Sequence, residues 1–173
     1  IKGMNWDSGD GSYEYEQFYT AFAHQSYTAS KVTFTRFSPR VSGVKMGVGF
    51  RKKPEENHFV QEGGLIISSG PEEIRDPENI DDRDTQKVDF IGSALVVKDE
   101  YKPEYRFIES NSGNHAFAIT QPQGNTFEFM LSSAWSEGAV YNTPEAFTEY
   151  IRKTALEYNN PLQTRFTAKQ EKE

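Results

Sequence analysis

The amino-acid sequence predicts a mainly β protein: an antiparallel β-sandwich closed by a single C-terminal α-helix. Three observations lead there. Strand-length apolar runs, separated by Gly, Pro, Asn and Asp clusters, fill residues 13 to 131. The chain is poor in apolar residues at 35%, yet it holds 13 Phe and 9 Tyr, large side chains that pack well on pleated sheets. The one strongly helical segment, Thr143 to Asn159, comes after all the strands, so alternating βαβ units are excluded and a sandwich is favoured, with a barrel as the alternative. At 173 residues the chain fits one domain, 1–173, large enough to bury a core without disulfide or metal staples.

Element by element, Ile1 to Gly11 reads as a polar loop. Tyr13 to Phe22 is a strand with neither face cleanly apolar, as expected beside solvent or a cleft. Lys31 to Phe37 places Val32 and Phe34 on one face, and Val44 to Arg51 places Val44, Met46, Val48 and Phe50 toward the core. Gly47 and Gly49 lie on the opposite face, open to close approach. Phe59 to Ser68 reads as a strand bent at Gly63-Gly64, and Ser69 to Gln86 as a long surface loop. Lys87 to Lys98 carries Ala94-Leu95-Val96-Val97, the pattern of a strand covered on both faces. Tyr105 to Glu109, His115 to Gln121 and Thr126 to Leu131 complete eight expected strands, with Pro122-Gln123-Gly124-Asn125 as a hairpin turn. Ser132 to Gly138 is a small-residue turn before the helix. Thr143 caps the helix and Pro144 opens it. Phe147, Ile151, Ala155 and Tyr158 form its apolar stripe.

Charge and composition narrow the function. A net charge of −7, with 19 Lys and Arg scattered among 26 carboxylates, disfavours nucleic acid and anionic membrane surfaces alike. No apolar run is long enough to span a bilayer. The absence of cysteine excludes disulfides, thiolate catalysis and Cys-ligated zinc. A start at Ile1 with no signal peptide reads as a processed secreted protein or, preferably, a piece of a longer one.

No strong catalytic motif is present, so candidate residues are scattered. His24, with Tyr19 or Tyr27 nearby in sequence, forms a base and acid pair suited to elimination, and Arg36 would hold a substrate carboxylate. An ordinary hydrogen-bonded histidine is the plainer reading of His24, and His58 and His115 read as structural or exposed. The histidines lack metal-ligand spacing, so no metal site is expected from them. Asp7, Asp10 and Glu14 resemble a calcium loop only loosely, and a solvated acidic loop explains them, as it does Asp76 to Asp84. Trp6, Tyr13, Tyr15 and Trp135 are candidates for a sugar platform, since the apolar C–H face of a pyranose stacks on aromatic rings. Trp135 is the leading one, although it would equally serve to plug the helix onto the sheet.

Ala134-Trp135-Ser136-Glu137-Gly138, Asn142-Thr143-Pro144-Glu145-Ala146-Phe147, Tyr150-Ile151 and Asn160-Pro161-Leu162 are similar to the end of domain-of-unknown-function family 4861. Gly92-Ser93-Ala94-Leu95-Val96-Val97 and Tyr101-Lys102-Pro103-Glu104-Tyr105 resemble it too, so the likeness spans roughly Val44 to Phe166. The resemblance implies a lyase- or mutarotase-like supersandwich, a role in polysaccharide utilisation in the periplasm or outside the cell, and a chain that is the C-terminal portion of a longer protein. It transfers no catalytic role onto a particular residue. The expectation is a carbohydrate-active domain, part of a lyase, dehydratase or glycoside hydrolase acting on acidic or unsaturated oligosaccharides. The alternatives are a noncatalytic carbohydrate-binding module and a structural domain packing on a missing N-terminal partner.

Overall fold

The computed structural model describes residues 1–75, 85–110, 113–120 and 124–162. Ten strands form among them: β1 (Lys2–Asp7), β2 (Gly11–Ala21), β3 (Tyr27–Pro39), β4 (Lys45–Arg51), β5 (His58–Glu62), β6 (Leu65–Arg75), β7 (Thr85–Val97), β8 (Glu104–Ile108), β9 (Asn114–Thr120) and β10 (Thr126–Trp135). The helix α1 spans Pro144–Asn159. Seven strands in the order β1-β2-β3-β10-β7-β6-β5 make one sheet and β4-β9-β8 a second, with every adjacent pair antiparallel. Both sheets are open, so the barrel alternative is set aside. The molecule is a β-sandwich of unequal sheets with a helix on the outer face of the larger one.

Two apolar layers follow from the two-residue period of the central strands. In β7, Leu95 and Val97 join Phe127, Phe129, Phe117 and Ile119 between the sheets, whereas Ala94 and Val96 join Phe147, Ile151 and Ala155 beneath the helix. The continuous run from Ala94 to Val97 is therefore covered on both faces, as expected. In β4, Met46 is buried in the inter-sheet layer, with Val44, Val48 and Phe50 packed against it. The helix cap also matches expectation: Thr143 Oγ1 accepts the Ala146 N–H at 3.2 Å.

The differences lie where packing comes from backbone and small residues. Ile1 to Gly11 is no loop: β1 pairs with β2 as an edge strand, Gly3 making room for the Tyr15 ring. Phe59 to Ser68 is two strands, because Gly63 turns the chain at φ +52° and a side chain at Gly64 would strike the Val97 carbonyl. Ser69 to Arg75 prolongs β6 rather than starting a loop; Ser68 and Ser69 are fully buried, and Gly70 lies directly under the Glu55 carbonyl. β10 continues through the expected turn as far as Trp135. Gly124 and Asn125, both at positive φ, lead into β10. The acidic stretch Asp76 to Asp84 and residues 121–123 lie outside the described residues.

Candidate functional site

The three-stranded sheet does not reach across the whole of its partner. Beyond its edge strand β4, the wing formed by β1, β2 and β3 is left partly uncovered, and a cleft of about 420 Å³ opens there. That volume suits a small ring-shaped ligand. Its walls are aromatic. Trp6 of β1 packs on Tyr13 (centroids 5.3 Å apart) and edge-on to Tyr15 (6.3 Å), while Tyr13 contacts Phe37 at 5.1 Å and Phe34 at 6.2 Å. Met46, Gly47 and Val48 of β4 form the facing wall.

Polar groups are few and distinct. Asp10 and Gln17 line the cleft. The Gln17 side-chain amide donates to Ser30 Oγ at 2.8 Å, which leaves its carbonyl oxygen as an acceptor. Lys45 at the rim is paired with Glu104 at 2.6 Å. The Tyr13 hydroxyl is buried above Gly11 and has no hydrogen-bond partner among the described residues. A buried hydroxyl in that state costs about 1–3 kcal/mol.

The structure thus brings together three of the four expected sugar-platform residues, Trp6, Tyr13 and Tyr15, and separates the fourth. Trp135 ends β10 opposite Ile91, six residues beyond the cleft residue Phe129, or roughly 20 Å along the strand. It is 44% exposed and lies against Gly138, so it neither plugs the helix onto the sheet nor joins the cleft.

The expected catalytic set is not assembled. His24 sits in the turn between β2 and β3, at φ +61°, and lines a separate recess of about 520 Å³ with Tyr141, Tyr150 and Lys153. Tyr19 is exposed in mid-strand opposite Ser30. Arg36 lies opposite Glu14 and faces it at 3.8 Å. Antiparallel pairing of β2 with β3 is the reason: it puts Arg36 near the open end of a hairpin whose turn holds His24, six residues and roughly 20 Å from Ser30.

The loose calcium loop is also put to other use. The Asp7 carboxylate accepts the Arg40 guanidinium, Oδ2 at 2.7 Å, and the Gly9 N–H at 2.8 Å. Arg40 first, then the Gly9 N–H, hold the carboxyl below the usual carboxylate range. Asp7 and Glu14 face different arginines, and among the described residues no three His, Asp or Glu side chains converge as a cation site.

Sequence reasoning passed over a fourth arrangement. His115, 3% exposed, places Nε2 at 2.8 Å from Glu56 Oε2 and Nδ1 at 2.9 Å from the Tyr105 hydroxyl, and Ser68 Oγ donates to the same Glu56 oxygen. The alternation of β9 carried the available signal, since it puts His115 on the same inward face as Phe117 and Ile119. His58 is bonded through Nε2 to Thr148 Oγ1 at 3.0 Å, a structural link between β5 and the helix.

Fold and cleft define a helix-backed β-sandwich with an aromatic groove between its sheets. No helix among the described residues is long and apolar enough to cross a membrane. The chain belongs to the family described as Domain of unknown function (DUF4861), whose model matches residues 1–164. The match takes in the N-terminal strands that build the cleft as well as the motifs of the C-terminal half. No curated protein and no solved structure matches the chain.

Proposed function

We propose that this is a carbohydrate-active domain that holds a sugar ring of an oligosaccharide in the cleft between β4 and the β1–β3 wing. The observation that carries this reading is the joining of Trp6, Tyr13 and Tyr15 in one groove with Asp10 and Gln17. Aromatic walls match the C–H face of a pyranose, and Asp10 and the Gln17 carbonyl accept from its hydroxyls. The cleft lining holds one carboxylate and no histidine, which favours binding over chemistry at this place. Membership of a polysaccharide-degradation system, with acidic or unsaturated oligosaccharides as the ligand class and a periplasmic or extracellular setting, belongs to the same reading.

The two tryptophans make the test direct. In a Trp135→Phe background Trp6 is the sole indole, and titration with uronic-acid oligosaccharides is expected to change its fluorescence. Trp6→Ala should weaken binding measured by calorimetry at least tenfold, about 1.4 kcal/mol, with little loss of thermal stability because Trp6 is half exposed. Loss of binding in Trp135→Ala but not in Trp6→Ala would refute the assignment of the cleft.

A further inference from the structure

We propose that Glu56, His115 and Tyr105 form a proton relay, with Tyr105 as the group that hands a proton to an oxygen of a bound sugar. The ligand class rests on the carbohydrate reading above; the relay does not. The three residues come from separate segments: Glu56 from the strap between β4 and β5, Tyr105 from β8 and His115 from β9. They meet by the edge strands β5 and β8, at the side opposite the aromatic cleft.

Carboxylate, imidazole and hydroxyl stand in series, one on each ring nitrogen, so the carboxylate orients the imidazole and the imidazole serves the hydroxyl. Ser68 Oγ fixes the carboxylate from the floor of the larger sheet. The Phe59 ring stacks on the imidazole at 4.5 Å and 21°, and Phe107 lies 5.4 Å away, which locks its orientation in apolar surroundings. A histidine needed only to fill space would not call for both nitrogens to be served by ionisable partners.

Two proton arrangements follow. With the imidazole neutral, Nε2–H donates to Glu56 and Tyr105 donates into Nδ1. With the imidazolium, both nitrogens donate and the phenol O–H is free to turn outward. In the step itself, Tyr105 passes its proton to the ligand oxygen while its own oxygen takes the Nδ1 proton. The step begins from the imidazolium, which takes its extra proton from solvent beforehand; the imidazole ends neutral and Glu56 stays anionic. Burial, then the Glu56 charge, push the Tyr105 phenol above its ordinary value, so it remains a proton donor at neutral pH.

Two exposed aromatic rings flank the relay. Phe59 and Phe107, 41% and 44% exposed, both contact the His115 ring, and Tyr105 is half-buried beside Phe59. Apolar ring faces beside one hydroxyl donor are what a pyranose would meet.

Phenylmethanesulfonyl fluoride tests the same contacts without any sugar and in the opposite sense, starting from the neutral imidazole with Nδ1 as the proton acceptor. The Tyr105 oxygen bonds to sulfur, the S–F bond breaks to release fluoride, and the phenol proton passes to Nδ1. Peptide mass spectrometry on the full chain should find Tyr105 labelled at least tenfold faster than Tyr19, which is about half exposed with no such partner among the described residues. His115→Gln and Glu56→Gln should each remove that advantage, and near-ultraviolet circular dichroism checks their fold. Labelling of Tyr105 no faster than Tyr19 in the wild-type chain would overturn the relay, whatever the variants do. An excess of uronic-acid oligosaccharide should slow the labelling. Fast labelling that no oligosaccharide slows would overturn sugar as the ligand at these rings, whereas slow labelling beside intact Trp6-dependent binding would overturn the relay and leave the cleft assignment standing.

Discussion

The contact between Phe147 and Gly92 offers a quantitative test of the packing. Phe147 is fully buried under the helix, edge-on to Phe90 at 6.0 Å, and its ring occupies the space a side chain at position 92 would need. A Cβ on Gly92 would lie 2.7 Å from two atoms of that ring and 2.8 Å from Phe90 Cζ, with a backbone conformation that any residue adopts. Phe147→Ala should cost about 4 kcal/mol, within the usual range for a buried phenylalanine, because the glycine floor cannot fill the cavity while Met130 relaxes only in part. Gly92→Ala alone should cost about 1–3 kcal/mol by overpacking. Combined, the new methyl enters the vacated space, so the double variant should be more stable than the sum predicts by about 1–3 kcal/mol. Urea unfolding followed by circular dichroism, with an unchanged m-value, measures all four corners of the cycle. Additivity within about 0.5 kcal/mol would refute the picture of ring and glycine sharing one space.

Two further perturbations act through ionisable groups. The Tyr158 hydroxyl is buried without a partner among the described residues, and burial pushes its phenol strongly upward. The raised folded-state value means a contribution that is full below the unfolded tyrosine range, near ~10, and lost as pH climbs through the folded value. Tyr158→Phe should raise the urea midpoint at pH 7, by up to about 1 kcal/mol, and flatten the alkaline limb of the stability profile; a lower midpoint would refute it. Glu62 is depressed by its two hydrogen bonds from Arg152, so that pair contributes above the unfolded glutamate range, near ~4.3, and the contribution disappears as pH falls through the lower folded value. Arg152→Met should therefore lower the thermal midpoint at pH 7 and match the wild type at pH 2–3, and an equal deficit at both pH values would point to lost packing instead.

Elements whose side chains alone decide their burial were legible in the sequence. Ala94 to Val97, the β4 alternation and the capped helix each advertise their partners through apolar period and terminal chemistry. Ser69 and Gly70 read as loop residues because they are small, yet they are small because the Glu55–Asn57 strap runs directly over them. β1 read as a loop because an edge strand exposed along most of its length needs no apolar face. Of the site, the aromatic inventory was visible and its grouping was not. Trp6 meets Tyr13 through strand register, while Trp135 is carried away by the length of β10. The Glu56, His115 and Tyr105 cluster joins residues up to 59 positions apart and carries no local spacing for a motif to register.

The position of Trp6 on β1 has a mechanical side. The outermost strand is held along one edge only, by its pairing with β2 and by ion pairs at the surface such as Lys2 with Glu16. The indole that closes the cleft therefore rides on an edge strand of the sheet, while the rings facing it are rooted in the core. Fraying of six residues would open that wall without disturbing the sandwich behind it, so the cleft has a rigid floor and a hinged side.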